Sequence, residues 1–193
     1  MEILPCKSRA DAVALTAKLI GARLDATPEM VLGLATGRTM EEVYDHLATN
    51  GARFDRCTTF NLDEYVGLPP DHPQSYAAYM AGHLFDRVDI DRARTHLPDG
   101  MAADLDQAAR DYEARIAAAA GIDLQLLGIG VAGHIGFNEP LSALRSRTRD
   151  KILTPTTRDQ NAGLFGGDAA RVPKRALTMG VGTILEAGEL MLL

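Results

Sequence analysis

Between Gly133 and Pro140 the chain reads GHIGFNEP, so an imidazole (His134) and a carboxylate (Glu139) stand five residues apart on a glycine-rich turn. An imidazole and a carboxylate within reach of each other form an acid–base pair, the carboxylate orienting the ring. A second acidic motif, NLDEY, puts Asp63 and Glu64 directly after the apolar stretch CTTF. A carboxylate at such a place, in a partly dry pocket, has the pKa tuning a proton-abstracting base needs. A third motif, TGRT, spans Thr36 to Thr39 and combines a flexible glycine, two hydroxyls and the start of a helix. Free N–H groups and the helix dipole converge there, which suits an anion. It lacks the GK[ST] ending of a Walker loop and the G-x-G-x-x-G of a dinucleotide fingerprint. No Gly-x-Ser-x-Gly elbow occurs, which disfavours a serine hydrolase. No other His or Cys has ligand spacing relative to His134, so no metal site is expected. Two of the motifs have a plainer reading: a capped turn for TGRT and a solvated acidic turn for NLDEY.

The elements that must position these residues alternate along the chain. MEILPC reads as a first strand, and Ser8 with Asp11 opens a helix whose Val13, Ala17, Ile20 and Leu24 recur at helical spacing. MVLGLA is a buried strand running into TGRT, where Thr39 and Glu42 form a capping pattern for a second helix with Val43 and Leu47 inward. CTTFNL leads into the turn-rich DEYVGLPPDHP, and Ser75 opens a helix to about Phe85. A longer helix is expected over Ala102–Ala120, with Met101, Leu105, Tyr112 and Ile116 on its inner face and Gly121 ending it. IDLQLLGIG, SRTRDKILT, RALTMGV and ELMLL read as strands. Strands alternating with helices, several of them apolar throughout, predict an α/β fold with a mainly parallel sheet and helices on both faces. In such sheets ligands bind beyond the carboxyl ends of the strands, and all three motifs fall at such ends.

Composition restricts the partners. With 193 residues the chain is read as one domain, 1–193. The net charge of −6 and the mixing of charges offer no basic footprint, so nucleic acid is not an expected partner. No apolar run approaches the ~20 residues that span a bilayer, and the first residues lack a signal-peptide pattern. Two cysteines, Cys6 and Cys57, are too few for a disulfide framework and read as reduced thiols of a cytoplasmic protein. ELMLL stops at Leu193 with no helix to cover it, so the domain is expected to lack a C-terminal segment.

Four blocks carry a resemblance: LGLATGRTMEEVY, FNLDEYVGLPPDHPQSY, GHIGFNEPLSALRSRTR and VPKRALTMGVGTILEAGELMLL. They resemble the glucosamine-6-phosphate deaminase (glucosamine-6-phosphate isomerase) family. The resemblance implies a Rossmann-like α/β sandwich and the conversion of glucosamine 6-phosphate and water to fructose 6-phosphate and ammonia. It implies no metal or other cofactor, and a small-molecule sugar phosphate as the partner. His134 matches the family's ring-opening residue, Glu139 its carboxylate partner, and Asp63 the base that moves a proton from C2 to C1. Thr36, Gly37, Arg38 and Thr39 match part of the phosphate site. Ser142, Arg149 and Lys151 match an allosteric pocket for N-acetylglucosamine 6-phosphate in bacterial hexamers, and a homo-oligomer is compatible with the sequence. Four features depart from the pattern. Arg38 stands where many members carry glycine or serine. Ala132 stands where many members carry an acidic or amide residue, Gly163 replaces a phosphate-binding arginine, and a lysine found beyond the last strand has no counterpart. Galactosamine 6-phosphate as substrate, a lactonase on the same sheet, and a binding module without turnover are the competing readings.

Overall fold

The computed structural model describes residues 1–130 and 133–193. Its first helix, α1 (Arg9–Ala26), begins where expected: the Ser8 side chain accepts the Asp11 N–H. One face of α1 buries Val13, Ala17, Ile20 and Leu24. Then follow β1 (Val31–Leu34), α2 (Arg38–Thr49), β2 (Thr58–Asn61) and β3 (Asp63–Tyr65). The short helix α3 (Tyr76–Met80), capped by Ser75, runs on as a π-helical turn over Ala81–Phe85. After β4 (Thr95–His96) come α4 (Leu105–Ala118), β5 (Leu124–Leu127), β6 (Arg149–Ile152) and α5 (Pro155–Asn161). The chain closes with β7 (Arg175–Thr178), α6 (Val181–Leu185) and β8 (Glu189–Leu192).

Five of the strands form a parallel sheet in the order β4-β2-β1-β5-β8. The inner strands β1 and β5 are buried along their whole length, as VLGL and LQLL require for strands covered on both faces. The main core gathers Leu32, Leu34, Leu124 and Leu126 with Ile20, Leu24, Met40 and Leu47 from the helices. The Tyr44 hydroxyl, buried in that core, donates to the Ala35 carbonyl at the end of β1. No helix among the described residues is long and apolar enough to cross a membrane.

Four expectations change. MEILPC forms no strand; residues 1–6 are exposed, and Pro5 has no N–H to give to a ladder. Thr39 does not cap α2, because Gly37, at φ +117°, turns the chain two residues earlier and makes Arg38 the first helical residue. SRTRDKILT and RALTMGV do not extend the parallel sheet. With β3 they make a separate antiparallel sheet, β3-β7-β6, over a small core of Tyr65, Phe137, Leu153, Phe165, Val172 and Ala176. The α4 helix also starts later than expected, at Leu105, because Asp104 caps it through the Gln107 N–H and leaves Met101 exposed.

Candidate active site

Asp63 and Glu64 sit where the chain leaves the parallel sheet for the antiparallel one. Leu62 between β2 and β3 is held from both sides: its N–H donates to Leu34 O and its carbonyl accepts from Met179 N. Alternation along β3 then sends the two carboxylates in opposite directions. Glu64 is buried and accepts the N–H groups of Tyr65 at 2.8 Å and of Tyr76 and Ala77 at 2.9 Å, closing the first turn of α3. Asp63 instead lines a cleft and is just 5 % exposed. Its pKa is pushed up to about 8. Burial is the main cause and the neighbouring Glu64 charge adds to it, while hydrogen bonding from the Thr178 hydroxyl and the Phe137 amide pulls the other way.

The GHIGFNEP segment closes over Asp63. Gly136 has φ +54°, and a Cβ there would stand 3.2 Å from both Asp63 Oδ2 and Thr178 Oγ1. Only glycine fits a left-handed position against a carboxylate. The next residue, Phe137, donates its N–H to Thr178 Oγ1 at 3.2 Å and buries its ring against Tyr65 and Tyr76. Asn138 Nδ2 donates to Ile135 O at 3.0 Å and to Met179 O at 2.8 Å, tying the segment to the end of β7. His134 lines the cleft, half-buried, and its ring packs on the backbone of Gly130. Among the described residues its buried Nδ1 has no hydrogen-bond partner.

The expected pairing of Glu139 with His134 takes a different form. No hydrogen bond joins them among the described residues. Glu139 Oε1 accepts instead from Thr154 N at 3.2 Å, from the Thr154 hydroxyl at 2.9 Å and from the Thr157 hydroxyl. Burial alone would raise the Glu139 pKa; the Thr157 and Thr154 hydrogen bonds, with the charge of His134, outweigh it and hold it below the usual glutamate value. Ala132, the position that departs from the pattern beside His134, lies outside the described residues.

TGRT forms the facing wall of the same cleft, which measures about 800 Å³ and is lined by Thr36, Gly37, Arg38, Thr39, Asp63 and His134, with Gln160, Gly163 and Leu193 opposite. The Met40 and Glu41 amides turn back to Gly37 O; those of Arg38 and Thr39 have no acceptor among the described residues. Tyr79 braces the turn by donating its hydroxyl to Gly37 O at 2.9 Å. Arg38 is exposed at the cleft and makes no ion pair among the described residues. Gly163, which also lines the cleft, carries no charge, and a Cβ there would meet nothing within 4 Å. Away from the cleft, Arg149 Nη2 donates to Ser142 Oγ at 3.3 Å, and Lys151 follows on β6, two residues from Arg149 and thus on the same face.

The structure therefore brings Asp63, His134 and the Thr36–Thr39 turn to one cleft, with Glu139 held behind it by α5. Sequence reasoning missed Thr178, Thr154 and Thr157. A Thr before Pro155 is a legible helix-cap signal, whereas nothing local marks Thr178, which reaches Asp63 only because β3 and β7 pair in that register.

A family model described as glucosamine-6-phosphate isomerases/6-phosphogluconolactonase matches residues 7–193. The chain is 52 % identical over its full length to a glucosamine-6-phosphate deaminase of Rhodopirellula baltica, covering 77 % of that protein. It is 50 % identical to one of Shewanella loihica, covering 73 % of it. The solved structure of a monomeric glucosamine-6-phosphate deaminase superposes with a TM-score of 0.96 at 40 % identity, over all of this chain and 81 % of that one. A 6-phosphogluconolactonase of Thermotoga maritima shares the fold, with a TM-score of 0.71 at 22 % identity. The cleft at the carboxyl edge of the parallel sheet, the buried Asp63 and these likenesses agree: the chain belongs to the glucosamine-6-phosphate isomerase/6-phosphogluconolactonase family.

Proposed function

We propose that this chain is a cytoplasmic glucosamine-6-phosphate deaminase, converting glucosamine 6-phosphate and water to fructose 6-phosphate and ammonia. The observation that carries the reading is Asp63: a buried carboxylate on the cleft wall, with its pKa raised to about 8. A base with a pKa near the working pH both ionises and retains driving force for proton abstraction. The phosphate docks at the Thr36–Thr39 turn, where the Arg38 and Thr39 amides and the guanidinium of Arg38 converge on an anion. His134 exchanges a proton with the ring and anomeric oxygens, opening the pyranose. The Glu139 carboxylate, held ionised, stabilises the imidazolium that forms when the ring takes up the proton. Asp63 then removes the proton from C2 and returns it to C1, giving the 2-imino sugar phosphate. Water adds to that imine, the C–N bond breaks, and ammonia leaves.

The test is production of ammonia and fructose 6-phosphate in equal amounts from glucosamine 6-phosphate, beside galactosamine 6-phosphate and the 6-phosphogluconolactone. Turnover of glucosamine 6-phosphate above the other two supports the reading. Hydrolysis of the lactone alone, or sugar-phosphate binding without turnover, rejects it.

A further inference from the structure

The Glu139 carboxylate meets three donors, all from the first turn of α5 and all on one oxygen, Oε1. Oε2 accepts nothing among the described residues. The donors are not equivalent. The Thr154 hydroxyl has a second acceptor, Thr157 Oγ1, at 3.2 Å, and itself accepts the Thr157 N–H at 3.2 Å as the helix cap. The Thr157 hydroxyl, buried, donates to Glu139 and to no other described group. A hydrogen bond from a buried hydroxyl to a carboxylate favours the charged form and fixes its rotamer. His134, on the same segment, is a charged group whose field also favours the Glu139 anion.

We infer that Thr157, with Thr154, is a positioning residue: it clamps Glu139 by one oxygen in its ionised state, leaving the other for the imidazole and its proton traffic. The clamp also fastens the His134 segment to α5, which carries Thr157 and Gln160 into the cleft wall and leads on to Gly163. Its role in turnover rests on the proposed function; its effect on Glu139 does not. A clamped anion is a poor acid, which leaves the ring-opening proton to His134 in the proposed function.

The clamp is tested on Glu139 itself. Carboxyl-labelled glutamate is introduced, its carbon resonances are titrated by NMR, and the Glu139 signal is identified by its loss in Glu139→Gln. Because the hydroxyl stabilises the anion, Thr157→Val raises the titration midpoint by about one unit, the size expected for loss of one hydrogen bond to a charged group. Thr157→Ser, which keeps the hydroxyl, titrates like the parent. If the valine variant does not fold, Thr157→Ala carries the same comparison. A Val or Ala variant titrating like the parent overturns the clamp, as does a serine variant that shifts equally, which would make the methyl group the cause. On glucosamine 6-phosphate, Thr157→Val lowers kcat with little change in KM and Thr157→Ser does not; an unchanged kcat separates the clamp from catalysis. A parent without deaminase activity rejects the proposed function and leaves the NMR comparison intact.

Discussion

Asp63 and Glu64 are chain neighbours of the same chemistry, yet one lines the cleft and the other closes a helix. Burial raises the pKa of both, but Glu64 collects three backbone N–H groups that pull against it, while Asp63, in the cleft wall, is pushed up to about 8. That arrangement has a cost with a definite sign. Below the unfolded value near 3.8 both states of Asp63 are protonated and contribute nothing. Between there and about 8 the folded protein holds a proton the unfolded chain has released, so stability falls as pH rises through that window. Asp63→Asn, neutral at all pH, should therefore melt higher than the parent at pH 8, with the gap shrinking toward pH 4. Thermal melts across that range check it, and a gap that grows on acidification would have the wrong sign. Arg38 poses the second question at this scale. If its guanidinium meets the phosphate, Arg38→Ala weakens binding of glucosamine 6-phosphate by about 1.5–3 kcal/mol, the worth of a hydrogen bond to a charged group. Binding of unphosphorylated glucosamine stays unchanged, and calorimetry that finds equal affinities for both proteins returns Arg38 to solvent.

The element that depends most on a single side chain is α3, whose five residues are too short to hold a helix without help. Glu64→Ala strands the Tyr65, Tyr76 and Ala77 amides and should cost about 2–4 kcal/mol in denaturant unfolding, while Glu64→Gln, whose amide oxygen still accepts, should cost less. Equal costs for both would mean that packing, not capping, holds the turn. The same elements show what could be read in advance. Helices with a serine cap and a regular apolar stripe were legible, α1 above all, because cap and stripe are local signals. So was β1, whose unbroken apolar run admits few other fates. The antiparallel sheet was not. SRTRDKILT and RALTMGV look like strands but carry no sign of which neighbour they pair with, and β3 was hidden because three buried residues, two of them acidic, resemble a turn. At the site, Asp63, His134 and TGRT were legible from residue type and position at strand ends. The partner of Glu139 was not, since α5 lies 15 residues on and reaches it only through the tertiary fold.

At the scale of the whole molecule, the cleft exists because two sheets of different kinds meet. The parallel sheet delivers the TGRT turn at the end of β1 and the GHIGFNEP segment beyond β5. The antiparallel sheet delivers Asp63 on β3 and, paired with it, Thr178 on β7. Gly136 is the point of contact between them, flush against both side chains. The chain spans 73–77 % of the length of the two deaminases compared with it, and the described fold superposes on a solved deaminase throughout its length. All of this converges on one claim, that Asp63 moves the proton between C2 and C1. The direct test is steady-state turnover of glucosamine 6-phosphate by the parent and by Asp63→Asn, an isosteric change that removes only the base. A group needed for proton transfer acts in the transition state, so kcat should fall by at least about 100-fold while KM changes little. An Asp63→Asn protein that keeps turnover within about threefold of the parent contradicts the assignment.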